Sequence, residues 1–316
     1  MPPVPLVRVV RSGVEESVHL GSVVVADADG RILSFAGDPA RVAFARSSMK
    51  PLQAAVSLDL AGDDLPDPQI AVMAASHNGE PVHLEAVRSI LARGELAVGD
   101  LRTPPDRPID VESARKVAEP RPEYHNCSGK HAGMLLACAR RGYEVDRYRE
   151  QGHPLQRAVL DAVEGGAGRA PESIGVDGCG VPVHALPLAA MATLYAGLAA
   201  GRLAQADRVM AAMRSQPYLV AGRKRACTAV MEASPDVAVK TGAEGMMCAA
   251  LLEQGIGVAL KVEDGASRAS DPAIVHVLDL LGVLDPSAVP AFARPPVLGG
   301  GRPVGYLEPV FSLERS

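Results

Sequence analysis

Tryptophan is missing from this 316-residue chain, and aromatic residues together make up only 3% of it. A surface built to stack bases is therefore absent. A formal net charge of −5, without long runs of one sign, gives no electrostatic footprint for nucleic acid or an anionic membrane. MPPVPLVRVVRSG has no charged n-region leading into an apolar h-region, so no secretory signal is read there. The longest apolar stretch, ALPLAAMATLYAGLAAG at 185–201, falls short of the roughly 20 residues that a membrane span needs. The five cysteines include no Cys-x-x-Cys pair and suggest no disulfide framework. They point to a reducing cytoplasm, with thiols free for metal or redox chemistry. The eight histidines contain no His-Glu-x-x-His.

What is present is a globular composition. Hydrophobic residues make up 47% and charged residues 22%, enough to bury a sizeable core resting on Ala, Val, Leu and Met. Residues 1–36 alternate like strands, and DADG between two β-branched runs is a hairpin signal. Helical spacing is read after residue 50, at 81–94, 128–142, 153–165, 186–200, 203–216, 244–254 and 272–283. Strands are read again at 235–242, 255–265 and 304–311. PPDRPID (104–110) and VLGGGRP (297–303) are read as loops. Strands, a long helical middle, then strands again is not a βαβ alternation. The pattern predicts an α+β fold, with an antiparallel sheet built from both chain ends, helices packed on it, and one domain over 1–316.

Ser47 and Lys50 in ARSSMKPLQA stand three apart at a helix entrance, where i and i+3 share a face. A serine hydroxyl needs a base within hydrogen-bond reach, and a neutral lysine can serve. The same spacing also describes an N-cap serine before a helix. Two further motifs follow in order: Ser76-His77-Asn78, then Lys240-Thr241-Gly242 after a strand. Ser-x-x-Lys, Ser-x-Asn and Lys-Thr-Gly in that order form the motif set of penicillin-binding proteins and serine β-lactamases. The interval from Ser47 to Ser76 is short for a β-lactamase proper. The chemistry carries over: an acyl-transfer serine, a lysine base, a second hydroxyl to relay protons, and a strand edge for substrate.

HNCSGKHAGM sets Cys127 at a helix start, with Lys130 three residues on. DGCGVP sets Cys179 in a glycine-bounded turn beside Asp177. A thiolate at a helix N-terminus is stabilised by the dipole. Two such cysteines meeting in space could bind zinc, but spacing alone, without a Cys-x-x-Cys, reads first as buried, inert thiols. CSGKH is no phosphate loop, because Tyr124 stands where the first glycine belongs. His77, His125 and His131 fall within motif segments and are candidates for lining a pocket. His19, His83 and His276 read as structural.

Taken together, ARSSMKPLQA, ASHNGEPVH, HNCSGKHAGML, GVDGCGVP, KTGAEG and ALKVEDGASRA resemble the asparaginase II family, the Rhizobium etli type. The resemblance runs from about residue 5 to the last strand. It implies a fold similar to serine β-lactamases and glutaminases, and hydrolysis of L-asparagine to L-aspartate and ammonia. It implies two serine–lysine pairs, Ser47 with Lys50 and Ser76 with Lys261, although the residues alone would select Lys240 as the strand lysine. It implies one zinc ion per chain held by Cys127, Cys179 and Lys130, shaping the substrate pocket instead of activating water. It also implies a homodimer.

The substrate adds its own requirements. An amino acid's ammonium needs a carboxylate, for which Asp177 is the candidate. Its α-carboxylate needs a cation or N–H donors, for which Arg46 and His125 are the candidates. The sequence therefore leads to a cytoplasmic amidohydrolase working through an acyl-enzyme. The alternatives are a glutaminase or other amidase on the same fold, or a non-catalytic binder of an amino acid or peptide.

Overall fold

Alternation in the first 36 residues and β-branched runs near the other end are the raw material of a sheet. A computed structural model, describing residues 1–316, shows where each run goes. Strands in chain order are β1 (Val4–Arg11), β2 (Val14–Asp27), β3 (Ile32–Ala36), β4 (Val42–Phe44), β5 (Ser173–Val176), β6 (Pro182–Pro187), β7 (Val237–Thr241), β8 (Met246–Leu251), β9 (Ile256–Val262), β10 (Pro296–Gly299), β11 (Arg302–Pro309) and β12 (Glu314–Arg315). Helices are α1 (Lys50–Ala61), α2 (Asp67–Met73), α3 (Pro81–Arg93), α4 (Val111–Ala114), α5 (Ser128–Arg141), α6 (Pro154–Ala167), α7 (Leu188–Ala199), α8 (Ala206–Ser215), α9 (Pro217–Val220), α10 (Ala226–Ala233), α11 (Ser267–Leu280) and α12 (Pro290–Ala293). No helix is long and apolar enough to cross a membrane.

These elements form two units. One comprises residues 1–48, 186–200 and 229–316; the other comprises 49–185 and 201–228. The first holds a nine-stranded sheet ordered β10-β11-β1-β2-β9-β8-β7, with β3 pairing β2 and β12. Strands from both chain ends interleave in it, and every pairing is antiparallel. That is the α+β sheet the sequence predicts. Helix α7 packs on β2, β8 and β9. It is apolar around its whole circumference and largely buried, as a helix without a polar face must be. Burying Leu188, Met191, Leu194 and Leu198 there contributes roughly 1.5–3 kcal/mol per side chain before entropy is counted.

The second unit is helical. Its α1 packs against α5, α6 and α8, while α2 packs against α3, α5 and α8. A short hairpin, β5 with β6, closes at Val176↔Pro182.

Two expectations are corrected. Residues 244–254 are not a helix: Met246–Leu251 is strand β8, buried on both faces between β7 and β9. Met, Ala and Leu are good helix formers, but intrinsic propensity is a small bias that a ladder on either side overrides. Residues 297–303 are not simply a loop either. β10 and β11 pair around a turn with Gly300 and Gly301 at positive φ.

Candidate active site

Lys50 opens α1 and is 0% exposed. A buried lysine needs acceptors for its donors, and three are in place. Nζ donates to Ala75 O at 2.7 Å, Ser76 Oγ at 2.9 Å and Asn126 O at 3.4 Å. Burial lowers its pKa, partly offset by Cys127 and reinforced by Lys130. In its neutral form, the same amine has a lone pair aimed along the Ser76 contact.

The segment bearing Ser76 is fixed by backbone hydrogen bonds on both sides. The N–H groups of Ser76 and Asn78 donate to Val220 O and Ala221 O, and that of His77 donates to Asn126 O. His77 Nδ1 accepts from the Gly79 N–H at 3.1 Å. Its Nε2 lies 3.0 Å from Ser128 Oγ, which itself donates to Glu123 O. The imidazole therefore carries its proton on Nε2. Burial holds its pKa well below the usual histidine range, so it is neutral. This relay ties the Ser76 loop to the start of α5.

The start of α5 is set by close approach. A Cβ on Gly129 would lie 2.1 Å from Val72 O, so only glycine lets the first turn of α5 seat there. Cys127 is the N-cap residue. Its sulfur lies 3.1 Å from Asn126 Oδ1, and its N–H donates to His125 Nδ1 at 3.0 Å. Lys130 reaches Cys179 Sγ at 3.0 Å. Cys179 sits in the β5–β6 turn, 3.7 Å from Asp177 Oδ2. A hydrogen bond from Cys179, with Lys50 and Lys130 nearby, holds the Cys127 thiol well below its ordinary pKa despite burial. Burial disfavours the Lys130 ammonium, but the two sulfurs outweigh it and raise its pKa.

Of the ten residues the sequence assigns to catalysis, substrate or zinc, seven lie in the helical unit: Lys50, Ser76, His125, Cys127, Lys130, Asp177 and Cys179. Arg46, Ser47 and Lys261 belong to the sheet unit. Ser47 lies in a 3₁₀ turn, Arg46–Met49, whose three-residue repeat matches the Ser47 to Lys50 interval. Arg46 takes φ +49°, an uncommon conformation for a residue with a Cβ. Burial lowers the pKa of Lys261, and its Nζ donates to Val262 O. Lys240 is 1% exposed and donates to Thr241 O at 2.7 Å.

His131 and Tyr148 meet without any sequence signal that pairs them. Tyr148 OH accepts from the Arg102 N–H at 3.1 Å and lies 2.5 Å from His131 Nδ1. His131 Nε2 has no hydrogen-bond partner of normal geometry and faces the Cys179 sulfur. Burial lowers the His131 pKa to about 4. Tyr148 carries no motif signal, so nothing in the sequence would have selected it.

The two sulfurs are the donors zinc favours, and Lys130, whose ammonium they stabilise, stands beside them. Cys127, Cys179 and Lys130 converge, and thiolates are strong zinc ligands. No group of three or more His, Cys, Asp or Glu side chains is placed to hold a metal ion. The third donor would have to be the Lys130 amine, which must lose its proton to bind.

The family model described as L-asparaginase II matches residues 7–309. No curated protein sequence matches the chain. Among solved structures, a β-lactamase from Mycobacterium bovis is 18% identical, with 84% of this chain and 95% of that one covered at a TM-score of 0.46. A Bacillus glutaminase is 14% identical, with 84% and 91% covered at a TM-score of 0.45.

Proposed function

The chain belongs to the L-asparaginase II family, and from that premise we propose that it hydrolyses L-asparagine to L-aspartate and ammonia. Amidohydrolase chemistry is the family's general property. The observation that carries the mechanism is the buried Lys50–Ser76 hydrogen bond. It is a hydroxyl–amine pair whose lysine is shifted toward its neutral form.

A serine Oγ attacks the side-chain amide carbon, and its proton passes to neutral Lys50. The lysine returns that proton to the departing nitrogen, and ammonia leaves. Water, deprotonated by the same amine, then opens the ester to release L-aspartate. The Ser-x-x-Lys spacing and the strained backbone at Arg46 favour Ser47 as the nucleophile, since strain collects at functional positions. Ser76 then serves as proton relay. Lys261 is proposed as a second lysine of the machinery. Asp177 is proposed to receive the substrate ammonium, and Arg46 and His125 its α-carboxylate.

Cys127, Cys179 and Lys130 are proposed to hold zinc, which when bound would supply fixed positive charge to shape the pocket. Five buried free cysteines support a reducing, cytoplasmic setting. A homodimer is proposed from the family resemblance.

Ammonia release from purified protein, measured with L-asparagine, with L-glutamine and with no substrate, tests the reading. A pocket discriminates one methylene by about 1–3 kcal/mol, so asparagine should win by roughly 10–200-fold in kcat/KM. Preference for glutamine would make the chain a glutaminase. Release from neither would leave a binding protein.

A further inference from the structure

Away from Lys50, the helical unit carries a pocket of about 380 Å³. Four cations line it, Arg115, Arg223, Lys224 and Arg225, against two carboxylates, Asp110 and Glu112. The lining thus has a surplus of two positive charges.

Arg223 already faces carboxylates. Its guanidinium bonds Glu80 and Glu112 at 2.8 Å each and lies 3.4 Å from Asp110. Both lining carboxylates are thereby drawn toward this one arginine. Arg115, Lys224 and Arg225 have no carboxylate partner in the structure. Arg225 is half-buried, and its guanidinium donates only to the neutral Asn78 Oδ1, at 2.9 Å.

The backbone is bent to make this arrangement. Gly222 takes φ +117° and Lys224 φ +57°, so Arg223, Lys224 and Arg225 fan out along one loop. A left-handed lysine is strained, and such strain persists where the surroundings impose it. The loop also sits tightly on its base, because a Cβ on Gly222 would lie 2.5 Å from Glu80 Oε1 and 2.6 Å from Asn78 Nδ2.

We propose that this pocket is a binding site for a small di- or tricarboxylate. Guanidinium groups meet carboxylates through paired N–H donors, and three cations without carboxylates supply the charge for two or three such groups. Ile109 and Val111, exposed by 46% and 61%, also line the pocket. They suit an aliphatic body better than a phosphate. The volume lies at the small end of the range for ligand pockets. The site is distinct from the amide-hydrolysing residues but physically linked to them. Arg225 holds Asn78, and Asn78 lies two residues from Ser76 on the same hydrogen-bonded segment.

The test is calorimetric titration of the full chain with succinate and, separately, with inorganic phosphate, each against chloride at matched ionic strength. The comparison is an Arg115→Gln, Lys224→Gln double variant. Both positions are exposed and lack partners whose loss would unfold the chain. Succinate should bind the wild type more tightly than phosphate does, and its affinity should fall at least tenfold in the double variant. No succinate binding above the chloride control would overturn the proposal. So would a fall of less than tenfold, which would place the succinate elsewhere, or tighter binding of phosphate than of succinate.

Discussion

The Nζ of Lys50 lies 2.9 Å from the Oγ of Ser76, and both groups belong to the same helical unit with almost no solvent exposure. A lysine so placed can exchange a proton with one hydroxyl while two carbonyls hold it in position. Removing Ser76 should therefore impair proton transfer without disturbing the fold.

Ser76→Ala should lower kcat by about 10²–10⁴-fold, the usual contribution of a positioned proton-transfer group, with little change in melting temperature. Ser47→Ala should abolish turnover. A diazoketone analogue of asparagine, followed by peptide mass spectrometry, should label Ser47. Label on Ser76 would transfer the nucleophile's role to it.

Elemental analysis of protein purified without chelators should find about one zinc per chain, as expected for a site with two thiolate ligands. Cys127→Ala and Cys179→Ala should each lose the metal and raise KM more than they lower kcat. Protein that is active yet free of zinc would remove the metal from the proposal.

Glu80 offers a prediction about acid stability. Burial pushes its carboxyl pKa upward, but hydrogen bonds from Tyr218, Arg223 and Asn78 win and bring it down to about 2 from 4.5. A depressed folded-state pKa adds stability that is fully present above the unfolded value and is lost as pH falls toward 2. The contribution is on the order of 3 kcal/mol. Urea unfolding should show Glu80→Gln less stable than wild type by about that amount at pH 7, with the gap narrowing between pH 4.5 and 2. A gap of equal size at pH 7 and pH 3 would contradict the assignment.

Gly222→Ala should destabilise the chain by about 3 kcal/mol, since the new methyl meets a hydrogen-bonded carboxylate on strained backbone. A shift in the urea midpoint equivalent to less than about 0.5 kcal/mol, the range of neutral surface changes, would show that the loop can move aside.

Local patterns in the chain were legible where one periodicity dominated. The β2–β3 hairpin, α1, α3, α5 and strands β7, β9 and β11 fall where alternation, caps and turn residues place them. Strand β8 was not legible, because MMCAAL is apolar throughout and shows no period of two once both of its faces are covered. The chemistry-bearing motifs were visible as types, but their partners were not. Nothing local links Lys50 to Ser76 across 26 positions, or Glu80 to Arg223 across 143. Tyr148 and His131 likewise meet only because the fold buries them side by side.

The position of β1 in the sheet bears on biosynthesis. It lies between β2 and β11, and its Arg8 pairs with Glu308, 300 residues downstream. Ribosomes add roughly 5–20 residues per second, so the outer edge of β1 stands open for tens of seconds before β11 emerges to cover it, while the far edge of β2 waits for β9. An uncovered strand edge is a template for pairing with other chains. β1 is rich in valine, VPLVRVVR, but carries two arginines, and charge on such an edge is a recognised guard against aggregation during that wait.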